Sequence, residues 1–167
     1  MMGWLAGKTA RIVGDCPSIS AAVEAQGARI VADGASDILV HVAAPPPVKP
    51  AHELSHAEWR AALDAGLDQR FLLARDFAKA RREAGKGGAL LYVGAPEQAL
   101  GSDHAAAAGA LGNLTKTLGV EWARDGIRVN AILTLETGET LGNLAAYLVS
   151  DYAAYVTGAV MGVGLND

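Results

Sequence analysis

An alternation of two patterns most constrains how this chain can fold. Short, nearly continuous aliphatic runs occupy residues 9–13, 28–32, 37–42, 89–93, 127–132 and 159–163. Between most of them lie longer segments whose apolar residues recur every three or four positions, at 18–26, 56–84, 102–124 and 141–149. The runs are too short for helices and carry apolar side chains on both faces, so they read as strands covered on both sides. The order β-α-β-β-α-β-α-β-α-β with short connections predicts an α/β fold. Its sheet should be doubly wound, Rossmann-like and mostly parallel, with about six strands. No internal repeat or flexible linker interrupts the pattern, so residues 1–167 are expected to form a single domain.

Local signals place the elements. Ser55-His56-Ala57-Glu58 fits a capping box, and Leu54 with Trp59 suits a hydrophobic staple. The helix they open should run to about Ala84, with Trp59, Leu63, Leu67, Phe71 and Ala74 as its inward stripe. Ser102 is placed to cap the next long helix, with Asp103 in its first turn. The stripe of that helix is Ala107, Leu111, Leu114, Leu118 and Trp122, and Gly126 ends it. Pro45-Pro46-Pro47-Val48-Lys49-Pro50 cannot be helical or central in a sheet and reads as a stiff loop at a strand end.

Composition excludes several classes. Apolar residues make up 51% of the 167, enough for a sizeable core, yet no run is long enough to cross a membrane as a helix. The net charge is −4 and the basic residues form no cluster, which argues against nucleic-acid or membrane partners. A single cysteine, Cys16, removes any internal disulfide or multi-cysteine metal site. Cytoplasmic placement is the expectation. His41, His52 and His56 lack ligand-like spacing.

Several stretches, in order, resemble the short-chain dehydrogenase/reductase family. They are Leu5 to Gly14, Asp37 to Ala44, Leu54 to Trp59, Leu114 to Leu118, Glu121 to Ala123, Gly126 to Ile132 and Ser150 to Gly158. The resemblance implies a nicotinamide cofactor, a catalytic Tyr and Lys four residues apart, a Ser after the fourth strand and a helix Asn. In this chain those positions fall on His104, Ala108, Gly94-Ala95 and Gly66, so all four groups are replaced. The family's glycine-rich loop falls on Val13-Gly14-Asp15-Cys16-Pro17-Ser18-Ile19-Ser20, where only Gly14 survives. Asp33 stands 19 residues after Gly14, near the spacing of a ribose-binding acid. The chain also lacks one edge helix and strand, and its connection after Ile132 is too short to form the family's substrate lid.

These features lead to expectations without assigned catalytic, cofactor-binding or metal residues, and without a cofactor. The family's assembly helices, at 56–84 and 102–124, are intact. The leading expectation is therefore a non-catalytic (pseudoenzyme) subunit that joins a catalytically complete relative in a hetero-oligomer, or itself in a homo-oligomer. The alternatives are a divergent NAD(P)-dependent oxidoreductase using His104, an imidazole suited to proton transfer near neutral pH, and a self-associating ligand-binding protein.

Overall fold

A computed structural model describes residues 3–164. Strand β1 (Thr9–Val13) is followed by helix α1 (Pro17–Ala25), then β2 (Arg29–Ile30) and β3 (Ile38–Val42). Helix α2 (His56–Leu63) continues through a π-helical turn (Asp64–Asp68) into α3 (Gln69–Glu83). Then come β4 (Gly88–Gly94), α4 (Ser102–Glu121), β5 (Ile127–Thr134), α5 (Glu139–Val149) and β6 (Val160–Val163). The six strands form one parallel sheet in the order β2-β1-β3-β4-β5-β6. This is the doubly wound, Rossmann-like α/β fold the sequence predicts.

Alternate residues of each strand feed two cores, as the pleat requires. Ile38, Val40, Leu91 and Ile132 meet α1 and α5 on one face. Leu39, Leu90, Tyr92 and Val129 meet α3 and α4 on the other. Gly142 lets α5 close on α1, because a Cβ there would stand 2.4 Å from the Ser18 carbonyl oxygen. Arg128 donates to the carbonyls of Leu148 and Ser150, and Asn130 bonds Val156 and Ala159, so β5 fixes the turn that leads into β6.

The edge is shorter than predicted. Residues 28–32 read as a strand, but only Arg29 and Ile30 pair with β1. The chain then crosses to the other side of β1 within residues 31–37, where parallel neighbours usually need a dozen or more. The crossing is possible because β2 pairs only with the first two residues of β1 and β3 begins opposite Ala10, so little strand length has to be retraced. Asp37 anchors the end of the crossing, accepting from the Thr9 amide and hydroxyl at 2.8 and 2.9 Å.

The long helix at 56–84 differs in a way that matters for the site. Its start is as predicted: Ser55 accepts from the Glu58 amide and Glu58 from the Ser55 amide. Leu54 and Trp59 are half-buried. The π turn then adds a residue to one turn, and the buried face becomes Ala62, Arg70, Ala74, Phe77, Ala78 and Arg81. Of the expected stripe, Ala74 is buried, Leu67 packs against the core, Trp59 and Leu63 are half-buried, and Phe71 is displaced. Phe71 lies outside and Arg70 inside. Gly66 faces Ala107 of α4 so tightly that a Cβ would come within 2.8 Å of the Ala107 Cβ, so small residues carry the contact between this turn and α4. Ser102 is not the cap of α4. Gly101 holds that place with no side-chain cap, and Ser102 is the first helical residue.

Candidate functional site at the carboxyl ends of the strands

Ligands of open α/β sheets bind beyond the carboxyl ends of the strands. Two connected hollows lie there, sharing Ala43, Ala44, Pro45 and Gly94. The rigid Pro45-Pro46 segment after β3 forms their common wall, as a stiff strand-end loop should.

The first hollow is a cavity of about 70 Å³ between α2, α4 and the end of β4. Gly66, Gly94, Ala95, His104 and Ala108 all line it. The fold thus brings together the positions that the sequence reading put at Asn, Ser, Tyr and Lys. Their side chains supply one ionisable group, His104. It is less exposed than its place in a first helical turn suggests, and its Nε2 lies 3.8 Å from Oδ2 of the buried Asp103.

The second ionisable group of the cavity is Arg70, which sequence periodicity missed. Arg70 is only 3% exposed. Its Nη2 donates to the Val93 carbonyl at 3.0 Å, and its guanidinium lies 5.8 Å from the centroid of the Tyr92 ring. Its Nε is buried without a partner, and among the described residues no carboxylate pairs with it. Burial pushes its pKa down to about 10. Gly94 lies against the guanidinium, where a Cβ would make an ordinary contact at 3.6 Å from Nη2. His41 on β3 is held neutral, its pKa lowered to about 4 by burial and then by the Arg70 charge, and its Nδ1 has no partner. The signal for Arg70 was present but faint: an Arg within a helix face, four residues after a glycine on the same face.

The second hollow, of about 200 Å³, lies between the β1–α1 turn and the β5–α5 turn. Asp15, Glu136, Thr134 and Thr137 line it, with no Lys or Arg. Gly14 has a positive φ of 94°, and a Cβ there would stand 2.1 Å from the Val42 carbonyl oxygen. The surviving glycine is therefore demanded by the approach of β1 to β3. Pro17 occupies the first turn of α1 and offers no N–H. Asp33 is outside both hollows, exposed in the crossing turn, with Arg11 at 3.7 Å. Two carboxylates, no cation and a missing amide do not fit the pyrophosphate of a nicotinamide dinucleotide. No group of three or more potential metal ligands occurs among the described residues, and no described helix is long and apolar enough to cross a membrane.

A family model described as enoyl-(acyl carrier protein) reductase matches residues 13–135, about three quarters of the chain. The chain belongs to the short-chain dehydrogenase/reductase family. It is 30% identical over 161 residues to a cis-4-hydroxycyclohexanecarboxylate dehydrogenase of Sinomonas cyclohexanicum, covering 78% of this chain and 65% of that one. It is 33% identical over 161 residues to BbsC of Thauera aromatica, a subunit of a hydroxy(phenyl)methyl-succinyl-CoA dehydrogenase, covering 77% and 61%. The chain thus spans less than two thirds of the length of these curated relatives. Among solved structures, a short-chain dehydrogenase/reductase of Mycobacterium marinum superposes with a TM-score of 0.86 at 21% identity, covering 95% of this chain and 94% of that one. That likeness establishes the shared fold.

Proposed function

We propose that this chain is a non-catalytic member of the short-chain dehydrogenase/reductase family that works as a subunit, paired with a catalytically complete relative or with a second copy of itself. The observation that carries this reading is the lining of the cavity. Proton transfer to a carbonyl oxygen in this family's manner needs a donor, a cation that lowers the donor's pKa, an orienting hydroxyl and a relay. By resemblance their places fall on His104, Ala108, Gly94-Ala95 and Gly66, all of which line the cavity, and the adjoining hollow is lined by Asp15 and Glu136 with no Lys or Arg. Two further features support assembly. Phe71, Leu72 and Val120 are exposed on α3 and α4, and Ala106, Asn113 and Thr117 leave the outer face of α4 with little charge. A lone helix in water would carry more charge there. One relative, BbsC, is itself named as a dehydrogenase subunit.

Co-purification from the native source tests the reading, with recovery of a full-length relative or of a homo-oligomer expected. Light scattering at micromolar concentration should give a dimer or tetramer. Ala110→Glu with Thr117→Arg should dissociate it while the circular dichroism spectrum stays native. A soluble monomer for the unmodified chain would overturn the proposal.

A second reading, a divergent oxidoreductase, is favoured by one observation: Asp103 stands behind His104 as an orienting carboxylate would. Calorimetric titration with NAD(H) and NADP(H) separates the two. Binding that is lost in His104→Ala together with turnover would favour the oxidoreductase, and absence of heat removes it.

A further inference from the structure

The geometry points to the cavity as a binding site for a short aliphatic carboxylate, held by the fork of Arg70 with its hydrocarbon tail against the surrounding apolar wall. This inference goes beyond the subunit reading and holds whether the chain acts alone or in an assembly.

Arg70 carries the argument. A guanidinium offers five N–H donors and is costly to bury unless they are used. Here one donor is visibly occupied, by the Val93 carbonyl, and Nε is buried with no partner. The contrast with Arg81, on the same helix and also buried, is instructive. Arg81 pairs with Asp37 at 2.9 Å and donates to the carbonyls of Gly87 and Ser36. The fold therefore gives one buried arginine a carboxylate and two carbonyls and leaves the other lining a cavity with most of its donors free. A planar fork with unfilled donors matches a carboxylate, which accepts two parallel bonds.

The walls define the rest of the ligand. Apart from Arg70 and His104 the lining is made by Ala, Gly, Pro and Leu, with Leu100, Leu111 and Leu133 the largest side chains. A phosphate would leave several oxygens facing apolar groups, whereas a carboxylate places both of its oxygens on the fork. The cavity of about 70 Å³ exceeds the ~10–15 Å³ needed for one water and suits a small acid. His41 stays neutral over the physiological range, so Arg70 remains the charge of that cluster.

The test uses the full chain in chloride-free buffer, titrated with acetate, propionate and butyrate by calorimetry and thermal unfolding. Propionate should bind saturably and raise the melting temperature by roughly a few degrees. Propionamide, the neutral isostere, and inorganic phosphate should do neither. Arg70→Met should abolish binding, and Arg70→Lys should weaken it at least about tenfold, because the fork is lost. Gly112→Leu leaves Arg70 in place. It adds bulk at a residue of the cavity lining where a Cβ meets nothing within 4 Å, so it should also abolish binding. That variant decides the matter if Arg70→Met does not fold. Equal binding of the amide would make the cavity merely apolar, and equal binding of phosphate would make Arg70 a general anion site. Unchanged binding in Gly112→Leu would place the ligand elsewhere. Each of these results overturns the inference.

Discussion

The two ends of the sheet treat charge in opposite ways. At the amino end, Asp37, Arg81, Lys8, Asp151 and Arg128 form a polar cluster in which each member has a partner: Arg81 with Asp37, Lys8 with Asp151, and Arg128 on three carbonyls. Asp37 loses hydration, yet the bonds from Thr9 and the charge of Arg81 more than offset this and lower its pKa. At the carboxyl end, buried Arg70 beside the apolar cavity and half-buried His41 each keep a buried nitrogen without a partner. The amino end is built for stability. The carboxyl end bears unpaired polar groups that a stability argument alone does not explain, which is the pattern of a site.

The largest effect should come from exchanging the two arginines for methionine in turn. Arg81→Met removes the partner of Asp37 and the donor to two carbonyls, so urea titration should show a loss of about 2–4 kcal/mol. Arg70→Met removes a charge with one carbonyl partner and places an apolar chain in an apolar site. Its stability should stay within about 1 kcal/mol of the parent or rise. Equal losses in both variants would erase the distinction between the two ends.

Gly14 sharpens the same comparison at the second hollow. Ala at 14 would meet the Val42 carbonyl oxygen at a positive φ of 94°. Gly14→Ala should therefore cost about 2–3 kcal/mol even with no nucleotide present. A loss under about 0.5 kcal/mol would show that the glycine is not needed by the fold and would reopen the phosphate-binding reading.

The fold was legible in the sequence because its signals are local and redundant. Aliphatic runs, the Ser55–Glu58 box and Gly126 each fix one element, and the parallel topology follows from their alternation. The four positions that the resemblance put at the family's catalytic groups, Gly66, Gly94-Ala95, His104 and Ala108, all line one cavity. Arg70 was not legible, because a repeated step of four from Trp59 carries the stripe onto Phe71, and a search for apolar periodicity passes over a charged residue on the buried face. The π turn at Asp64–Asp68 packs Gly66 on Ala107, some forty residues away in sequence. The cap at Gly101 and the brevity of β2 were missed too. Each is decided by how the chain enters or crosses the sheet, which no local pattern records.

His41 gives a pH signature confined to the carboxyl end. Its pKa is about 4 when folded against 6.5 for the ordinary imidazole. The unfolded chain therefore binds the extra proton first, and stability falls as pH drops from about 6.5 toward 4. The slope should stay below the ~1.4 kcal/mol per pH unit of one full proton, with a total of about 1–2 kcal/mol given partial exposure. His41→Gln should flatten this window and leave the loss below pH 4, from Asp37, in place. A parent chain equally stable at pH 7 and pH 4.5 would contradict the burial of the imidazole beside Arg70.

The smallest effect is expected at Asp33, where sequence spacing suggested a ribose-binding acid and the structure shows a turn. Its side chain is 90% exposed and its contact with Arg11 is long, at 3.7 Å. Exposed pairs of this kind contribute little, because water screens them and two side chains must be held still. Asp33→Ala should change stability by no more than about 0.5 kcal/mol and leave any heat of NAD(H) titration unaltered. A loss above about 1 kcal/mol would mean that the tight crossing between β2 and β3 leans on this pair. A change in nucleotide binding would instead give Asp33 the ribose-binding role and return the edge of the sheet to cofactor recognition.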